Sequence, residues 1–189
     1  SSWTTVTDST LPKNIVDYEM GNSGSSLTQC VIDKHGKLYC KGDGDYGKLG
    51  QGGSSTTDSS TWITPIGMDS DVIQIIPKQY SMQALKSNGD LYYWGSNAYG
   101  NRPLGGNAYQ PIKYPDHKVK KISSYGTTSS TSTCFINFDD ELYCYGYQST
   151  SDYANNGGWM PYPDQRYYPT TAGCTLTGTT CYYPTKMTD

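Results

Sequence analysis

The chain has 189 residues, only 16% of them charged, and a formal net charge of −3. A net negative charge disfavours electrostatic capture of a polyanion, so we expect no nucleic-acid partner. Apolar runs of the ~20 residues that a spanning helix requires are absent from the sequence, so we expect no membrane span. The 19 tyrosines and abundant Gly, Ser and Thr favour short strands separated by turns, which predicts an all-β fold.

The chain begins Ser1-Ser2-Trp3 without an initiator methionine. This start is typical of a processed, secreted protein, although a boundary chosen within a longer chain has the same appearance.

Three segments share one pattern, and each predicts a β-hairpin. They are residues 30–42, 83–95 and 134–146, whose Leu-Tyr pairs lie 53 and 51 residues apart. An apolar strand enters a turn at His35-Gly36, Asn88-Gly89 or Asp139-Asp140, and a second strand returns. Asn-Gly is typical of a two-residue turn with positive φ at both positions. The third copy lacks the glycine, which predicts a longer or more strained turn.

The remaining strands repeat around these hairpins. A β-branched strand precedes each hairpin, at residues 14–17, 71–76 and 118–122, and an aromatic-led strand follows each, at 62–66, 109–112 and 159–162. Four short strands per ~51 residues is the plan of a propeller blade. We therefore predict about three four-stranded propeller-type blades over residues 1–162, in an open or oligomer-completed array. A β-sandwich whose hairpins are similar by chance is the alternative.

The six cysteines form three local pairs: Cys30 with Cys40, Cys134 with Cys144, and Cys174 with Cys181. An even number in local pairs predicts disulfides formed in an oxidising, extracellular compartment. The middle hairpin replaces both cysteines together, with Gln83 and Tyr93, as a true pair requires. Metal binding is the competing interpretation, but ligand pairs normally lie two to four residues apart and come with histidines.

Residues 163–189 depart from the blade pattern. Two Tyr-Tyr-Pro-Thr segments flank the third cysteine pair, and their tyrosines are Tyr167, Tyr168, Tyr182 and Tyr183. The arrangement predicts a disulfide-closed hairpin whose prolines suit a sheet edge. Two roles stay open: a cap on the last blade, or an arm that docks on a neighbouring subunit through those tyrosines.

The string from Gly36 to Gly50, Gly-Lys-Leu-Tyr-Cys-Lys-Gly followed by Tyr-Gly-Lys-Leu-Gly, resembles the repeat of the regulator of chromosome condensation, and residues 88–100 resemble it more closely. The resemblance covers about residues 11–162, and cysteine-flanked hairpins are similar to an extracellular variant. It implies blades of a ring that usually has about seven. Three blades cannot close such a ring, and nothing in the sequence carries over the family's nuclear exchange activity.

Other candidate sites receive weaker support from the sequence. Gly42, Gly44 and Gly47 match a dinucleotide fingerprint without the strand–helix context that it needs. His35 and His117 lack a nucleophile partner, so we expect no catalysis. Asp43, Asp45, Asp139 and Asp140 suit either turns or Ca²⁺ ligation, and we expect no cofactor. Exposed Trp and Tyr suit either packing or stacking on sugars.

Two functional hypotheses follow. The first is a secreted, non-catalytic structural subunit that assembles with copies of itself into an extracellular oligomer or filament. The second is a monomeric extracellular module that binds a glycan or a surface protein.

Overall fold

The computed structural model describes residues 8–23, 26–96, 107–114, 117–127, 130–147 and 180–186. These residues form twelve β-strands and one short 3-10 turn, Asp45–Gly47. The strands lie in three four-stranded antiparallel sheets, which confirms the predicted all-β fold and the four-strand blades. The described residues include no helix with the length and apolarity to span a bilayer.

Each sheet is one blade, and its strands follow one another in chain order. Blade 1 contains β1 (Ile15–Ser23), β2 (Ser26–Asp33), β3 (Leu38–Gly42) and β4 (Ser59–Ile63). Blade 2 contains β5 (Val72–Pro77), β6 (Ser81–Lys86), β7 (Leu91–Gly95) and β8 (Ala108–Lys113). Blade 3 contains β9 (Val119–Thr127), β10 (Ser130–Asn137), β11 (Leu142–Tyr147) and β12 (Thr180–Lys186).

The three repeated segments form the central hairpin of each blade in one common register. Cys30 lies opposite Cys40, Gln83 opposite Tyr93, and Cys134 opposite Cys144. This register makes every position of one hairpin equivalent to a position in the other two.

The hairpin turns differ from the predicted two-residue type. The Gly36 N–H donates to the Asp33 carbonyl (2.9 Å), and the Asp33 N–H donates to the Lys37 carbonyl (3.0 Å). Of the turn residues only Gly36 has a positive φ, 75°, so the loop has three residues and a bulge. The Asp33 carboxylate favours this loop, because it accepts hydrogen bonds from the backbone N–H groups of His35 and Lys37.

The turn of blade 3 has the same length but lacks the glycine. Asp140 takes the left-handed position with φ 61°, where Gly36 and Gly89 have 75° and 83°. The chain between Asn137 and Glu141 closes as in the first turn, with a 3.0 Å hydrogen bond. The expected strain is therefore present, and the expected extra length is not.

Replacing this residue with glycine, Asp140→Gly, is expected to raise the free energy of unfolding by about 0.5–1 kcal/mol, because glycine adopts positive φ without steric cost. The lost ion pair with Lys120 is solvent-exposed and contributes little. Urea unfolding measures the change. In the matched variant Gly36→Ala, the free energy of unfolding should instead fall by more than about 1 kcal/mol, because the new Cβ would lie 2.6 Å from the Asp71 nitrogen. Equal effects of the two substitutions would contradict the explanation.

The fourth strand of blade 3 is a finding that the repeat period did not predict. β12 pairs with β11, with Gly146 opposite Cys181 and Cys144 opposite Thr185. The repeat pattern predicts residues 159–162 at this position, and they lie outside the described residues. β12 instead comes from the segment 163–189, and its edge position accommodates Pro184, which has no N–H to donate.

The core consists of two apolar clusters, and each lies between neighbouring blades rather than within one. The first joins blades 1 and 2, and its members are Cys30, Ile32, Leu38, Cys40, Leu49, Met68, Val72, Ile75, Met82, Ala84, Trp94 and Ala108. The second joins blades 2 and 3, and its members are Leu85, Leu91, Tyr93, Tyr114, Val119, Ile122, Phe135 and Tyr145. The blades therefore stack face to face.

Candidate functional site

Each blade has two faces, because side chains alternate along a strand. We call the face that packs on the preceding blade the entry face, and the face that packs on the following blade the exit face. The entry faces of blades 2 and 3 carry Ile75 and Ile122 at equivalent positions, and the exit faces of blades 1 and 2 carry Leu38 and Leu91. Among the described residues no further blade packs on the entry face of blade 1 or on the exit face of blade 3.

The junction between blades 1 and 2 is centred on Trp94. Its side chain is fully buried, and its Nε1–H donates to the carbonyl of Lys48 (2.6 Å). The Lys48 ammonium forms a buried ion pair with Asp43 (2.6 Å) and donates to the Gln79 carbonyl (3.0 Å). Lys48 therefore connects the turn after β3 to blade 2 by both charge and hydrogen bonding.

The junction between blades 2 and 3 contains a polar group of residues inside the apolar cluster. The Gln83 amide donates to the Tyr145 hydroxyl (2.7 Å) and to the Thr133 hydroxyl (3.2 Å). Lys78, which is buried, donates to the same Thr133 oxygen (2.5 Å). Burial lowers the pKa of Lys78 to about 7 and raises the pKa of Tyr145. At neutral pH the junction therefore contains an amine close to the midpoint of its titration.

Each hairpin turn also contacts the first strand of the next blade. The Val72 N–H donates to the Gly36 carbonyl (2.9 Å), and the Val119 N–H donates to the Gly89 carbonyl (2.8 Å). The close approach requires glycine at Gly36, where a Cβ would lie 2.6 Å from a backbone nitrogen of blade 2. Within the described residues no further blade packs on the third turn, where Asp140 stands at the glycine position.

The entry face of blade 1 is exposed along β1 and at Leu27, whereas Val31 at its centre is fully buried. Tyr18 is 46% exposed, whereas its equivalents Ile75 and Ile122 are 1% and 2% exposed. Met20 and Leu27 lie on the same face and are 56% and 39% exposed. Part of a surface built at blade-packing positions is therefore open to solvent at this end of the array.

Part of this entry face is polar. Lys41 stands where blades 2 and 3 have the fully buried Trp94 and Tyr145. Its ammonium lies 4.5 Å from the centre of the Trp62 ring and 2.6 Å from an Asp8 carboxylate oxygen. The Lys41 hydrogen bond holds the pKa of the Asp8 carboxyl well below its ordinary value. The face thus combines exposed apolar groups with a neutralised ion pair.

The exit face of blade 3 is open as well. Leu142 is 37% exposed, while its equivalents Leu38 and Leu91 are 0% and 1% exposed. Ile136 is partly exposed, although Ile32 and Leu85 at the same position are 1% exposed. Both ends of the array therefore present unburied side chains at positions that are buried inside it.

Two of the predicted disulfides are present, and both lie on exit faces. Cys30 and Cys40 have Cα atoms 4.2 Å apart, and Cys134 and Cys144 have Cα atoms 4.1 Å apart. Such spacing is close to that of a non-hydrogen-bonded cross-strand pair. The first disulfide is buried in the junction of blades 1 and 2, and Cys134 of the second is partly exposed at the open exit face.

The remaining C-terminal predictions are not tested by the structure. Cys174, Tyr167 and Tyr168 lie outside the described residues, and of Cys181, Tyr182 and Tyr183 only the backbone is described, in β12. The third disulfide, the division at residue 162 and the interface arm therefore stay predictions.

The aspartates that suit calcium ligation in the sequence do not converge. Asp43 is committed to Lys48 and to the backbone N–H of Asp45 (2.8 Å). Asp139 and Asp140 occupy the third hairpin turn and are exposed. Within the described part of the chain, no group of three acidic, histidine or cysteine residues is placed to hold a metal ion.

His117 and Trp94 have packing contacts. His117 lies beside three aromatic rings, those of Tyr114, Phe135 and Tyr143, at the junction of blades 2 and 3. His35 lies at a hairpin turn and is exposed. Trp94 fills the blade core as predicted.

The sequence pattern equates Trp62 with Tyr109 as the residue that leads the fourth strand, and this equivalence is wrong. Ile63 and Ile112 occupy equivalent registers in β4 and β8, so Trp62 corresponds to Pro111. The aromatic residue therefore lies two residues further along the strand in β4 than in β8.

Four-stranded sheets that stack face to face at a regular repeat define a propeller-type repeat protein. No family model matches the chain. The E3 ubiquitin-protein ligase HERC2 is 32% identical in mouse and 31% identical in human over 137 residues, which is 70% of this chain and 3% of each relative. The chain therefore spans a small fraction of these relatives.

Solved structures show the same fold. Yeast RCC1 (Prp20) in complex with Kap60 superimposes with a TM-score of 0.64 and 19% identity, covering 94% of this chain and 38% of that one. Prp20p of Saccharomyces cerevisiae, studied for its binding to Gsp1p and histones, has a TM-score of 0.64 and 18% identity, and the match covers 95% of this chain and 40% of that one. Human WBSCR16 has a TM-score of 0.57 and 19% identity, and the match covers 71% of this chain and 33% of that one. The chain is built from propeller repeats of the regulator-of-chromosome-condensation type.

Proposed function

We propose that the protein is a secreted, non-catalytic structural subunit that associates with copies of itself into an extracellular oligomer or filament. The observation that carries this proposal is the exposure of Tyr18 and Leu142 at positions that are buried inside the array. Open terminal faces of a repeat array favour association, since each repeat gains much of its stability from its neighbours. The disulfides support an oxidising compartment.

The second candidate is a monomeric module that binds another protein. Lys41 and Gln29 favour it, because they place polar groups where blade 2 has Trp94 and Met82, as a solvated terminal repeat would. Yeast Prp20, which shares the fold, has protein partners. In this case the open entry face of blade 1 is a cap, and the partner binds elsewhere.

Sedimentation of the oxidised protein distinguishes the two candidates. We expect the mass of the wild-type protein to rise above 20.8 kDa with concentration, in the absence of any ligand. A single 20.8 kDa species up to several hundred micromolar would overturn self-association and favour the binding module. Imaging of the large species by electron microscopy then separates a closed ring from a filament.

A further inference from the structure

The two open faces of the array are complementary to each other. Inside the chain, an exit face packs on an entry face twice, at the junction of blades 1 and 2 and at the junction of blades 2 and 3. Leu38 and Leu91 pack in these junctions from the exit faces, and Ile75 and Ile122 pack in them from the entry faces. The described blades leave one copy of each surface without a neighbouring blade and partly exposed.

We propose that the exit face of blade 3, carrying Ile136 and Leu142, docks on the entry face of blade 1, carrying Tyr18, Met20 and Leu27, of a second copy. The inference rests on the proposed self-association and adds its partner surface and its polarity. The contact is heterologous: each copy uses one face to bind the next, so the same contact either closes a ring or extends a filament.

The exit face of blade 3 presents apolar groups beside one lysine. Leu142 and Ile136 flank the partly exposed Cys134, and the exposed Lys121 lies opposite Ile136 on the same face. At the internal junctions this position touches large apolar groups of the next blade, and Tyr18, Met20 and Leu27 supply such groups on the entry face. On the entry face the Lys41–Asp8 pair is already neutralised, so docking does not leave Lys41 as an unpaired charge.

The third hairpin turn limits how closely the second copy approaches. Asp140 has a Cβ where the first turn has glycine, and a Cβ at Gly36 would lie 2.6 Å from a nitrogen of the next blade. At Gly89 the nearest backbone atom, the Val119 carbonyl oxygen, would lie 3.2 Å from a Cβ. The junction of blades 2 and 3 is therefore the appropriate template for the contact between two copies. At this junction the backbone of the next blade needs to move less to accommodate a side chain at the glycine position, such as that of Asp140.

Two single variants test the polarity. Tyr18→Glu blocks the entry face and Leu142→Glu blocks the exit face, and each is expected to weaken self-association of the oxidised full chain at least about tenfold, because docking would bury the new charge without a partner. An equimolar mixture still contains one intact exit face and one intact entry face. It should therefore form a 1:1 dimer that does not grow further, as measured by sedimentation velocity.

The controls are Val16→Glu and Ile73→Glu. These residues occupy equivalent strand positions and are 66% and 55% exposed, so both substitutions should leave self-association unchanged. Urea unfolding checks that each variant is folded. If a glutamate variant does not fold, the milder pair Tyr18→Gln and Leu142→Gln replaces it.

The outcomes separate this inference from the proposed function. A wild-type oligomer with a mixture that fails to dimerise, or with only one sensitive face, would overturn the face pairing and leave self-association standing. A wild-type protein that stays monomeric would overturn both. An extending wild-type protein and a dimer-limited mixture would support the pairing.

Discussion

Trp94→Ala is expected to lower the free energy of unfolding by about 3–5 kcal/mol, which is the upper range for a single truncation in a protein core. The indole is fully buried between blades 1 and 2, and its removal leaves a cavity that the neighbouring strands cannot fill. The Lys48 carbonyl also loses its 2.6 Å hydrogen bond from Nε1. Guanidinium unfolding, followed by circular dichroism, measures the loss.

Trp62→Ala is the matched control, because Trp62 is a tryptophan in the same array that lies partly exposed under Lys41. The fall in the free energy of unfolding caused by Trp62→Ala should be less than half of that caused by Trp94→Ala. Trp94→Phe should recover part of the stability by refilling the cavity without the hydrogen bond. Similar losses for Trp62→Ala and Trp94→Ala would show that the junction of blades 1 and 2 is not where the stability lies.

The second large effect is expected at Lys78. Its folded pKa of about 7 lies below the ordinary 10.5, so burial of the protonated amine destabilises the fold. The penalty is complete below pH 7, declines as pH rises, and vanishes above 10.5, because the unfolded chain binds more protons throughout this window. We expect Lys78→Met to be more stable than the wild type at about pH 6.5, by an amount on the order of 3 kcal/mol.

The difference in unfolding free energy between wild type and Lys78→Met should shrink steadily from about pH 6.5 to about pH 9.5. Urea unfolding at several pH values follows it, and a constant difference would rule out a buried, titrating amine. Lys78→Arg provides the contrast: the guanidinium stays charged across this range, so this variant should be destabilised without recovery at high pH.

The hairpins and their spacing could be predicted from the sequence because each signal is local. Leu38, Leu91 and Leu142 recur at a nearly constant period, and the cysteine pair at Cys30 is replaced as a unit by Gln83 and Tyr93 in the middle copy. A strand pair, its register and its cross-link all lie within about a dozen residues, so the pattern is visible without any tertiary information.

Three features could not be predicted from the same local signals. The turn type was wrong because all three hairpins close as three-residue loops, whether Asp33, Lys86 or Asn137 stands at the first position, so the turn dipeptide does not decide the loop. β12 was missed because the connection to it is far longer than those to the fourth strands of the other blades. Lys78 carries no sequence signal of burial, since a lysine beside a proline at a strand end usually marks an edge.

The open faces at the two ends of the array could be predicted only in part from the sequence. The sequence predicts that three blades leave two ends uncovered, yet it does not say which side chains are exposed there. Tyr18 becomes recognisable only through its register with Ile75 and Ile122, and Leu142 through its register with Leu38 and Leu91. Periodicity therefore identifies the repeat, and only the paired strands identify the surface.

The two observed cross-links occur in the outer blades, whereas the middle blade has Gln83 opposite Tyr93 instead. In a one-dimensional array a terminal unit has a single neighbour, so it opens before the centre does. A covalent bond between the two central strands keeps an opened end blade in register, and it closes again without searching for its pairing. Fraying at either end is thereby confined to one blade, and the centre, held by neighbours on both sides, requires no such bond.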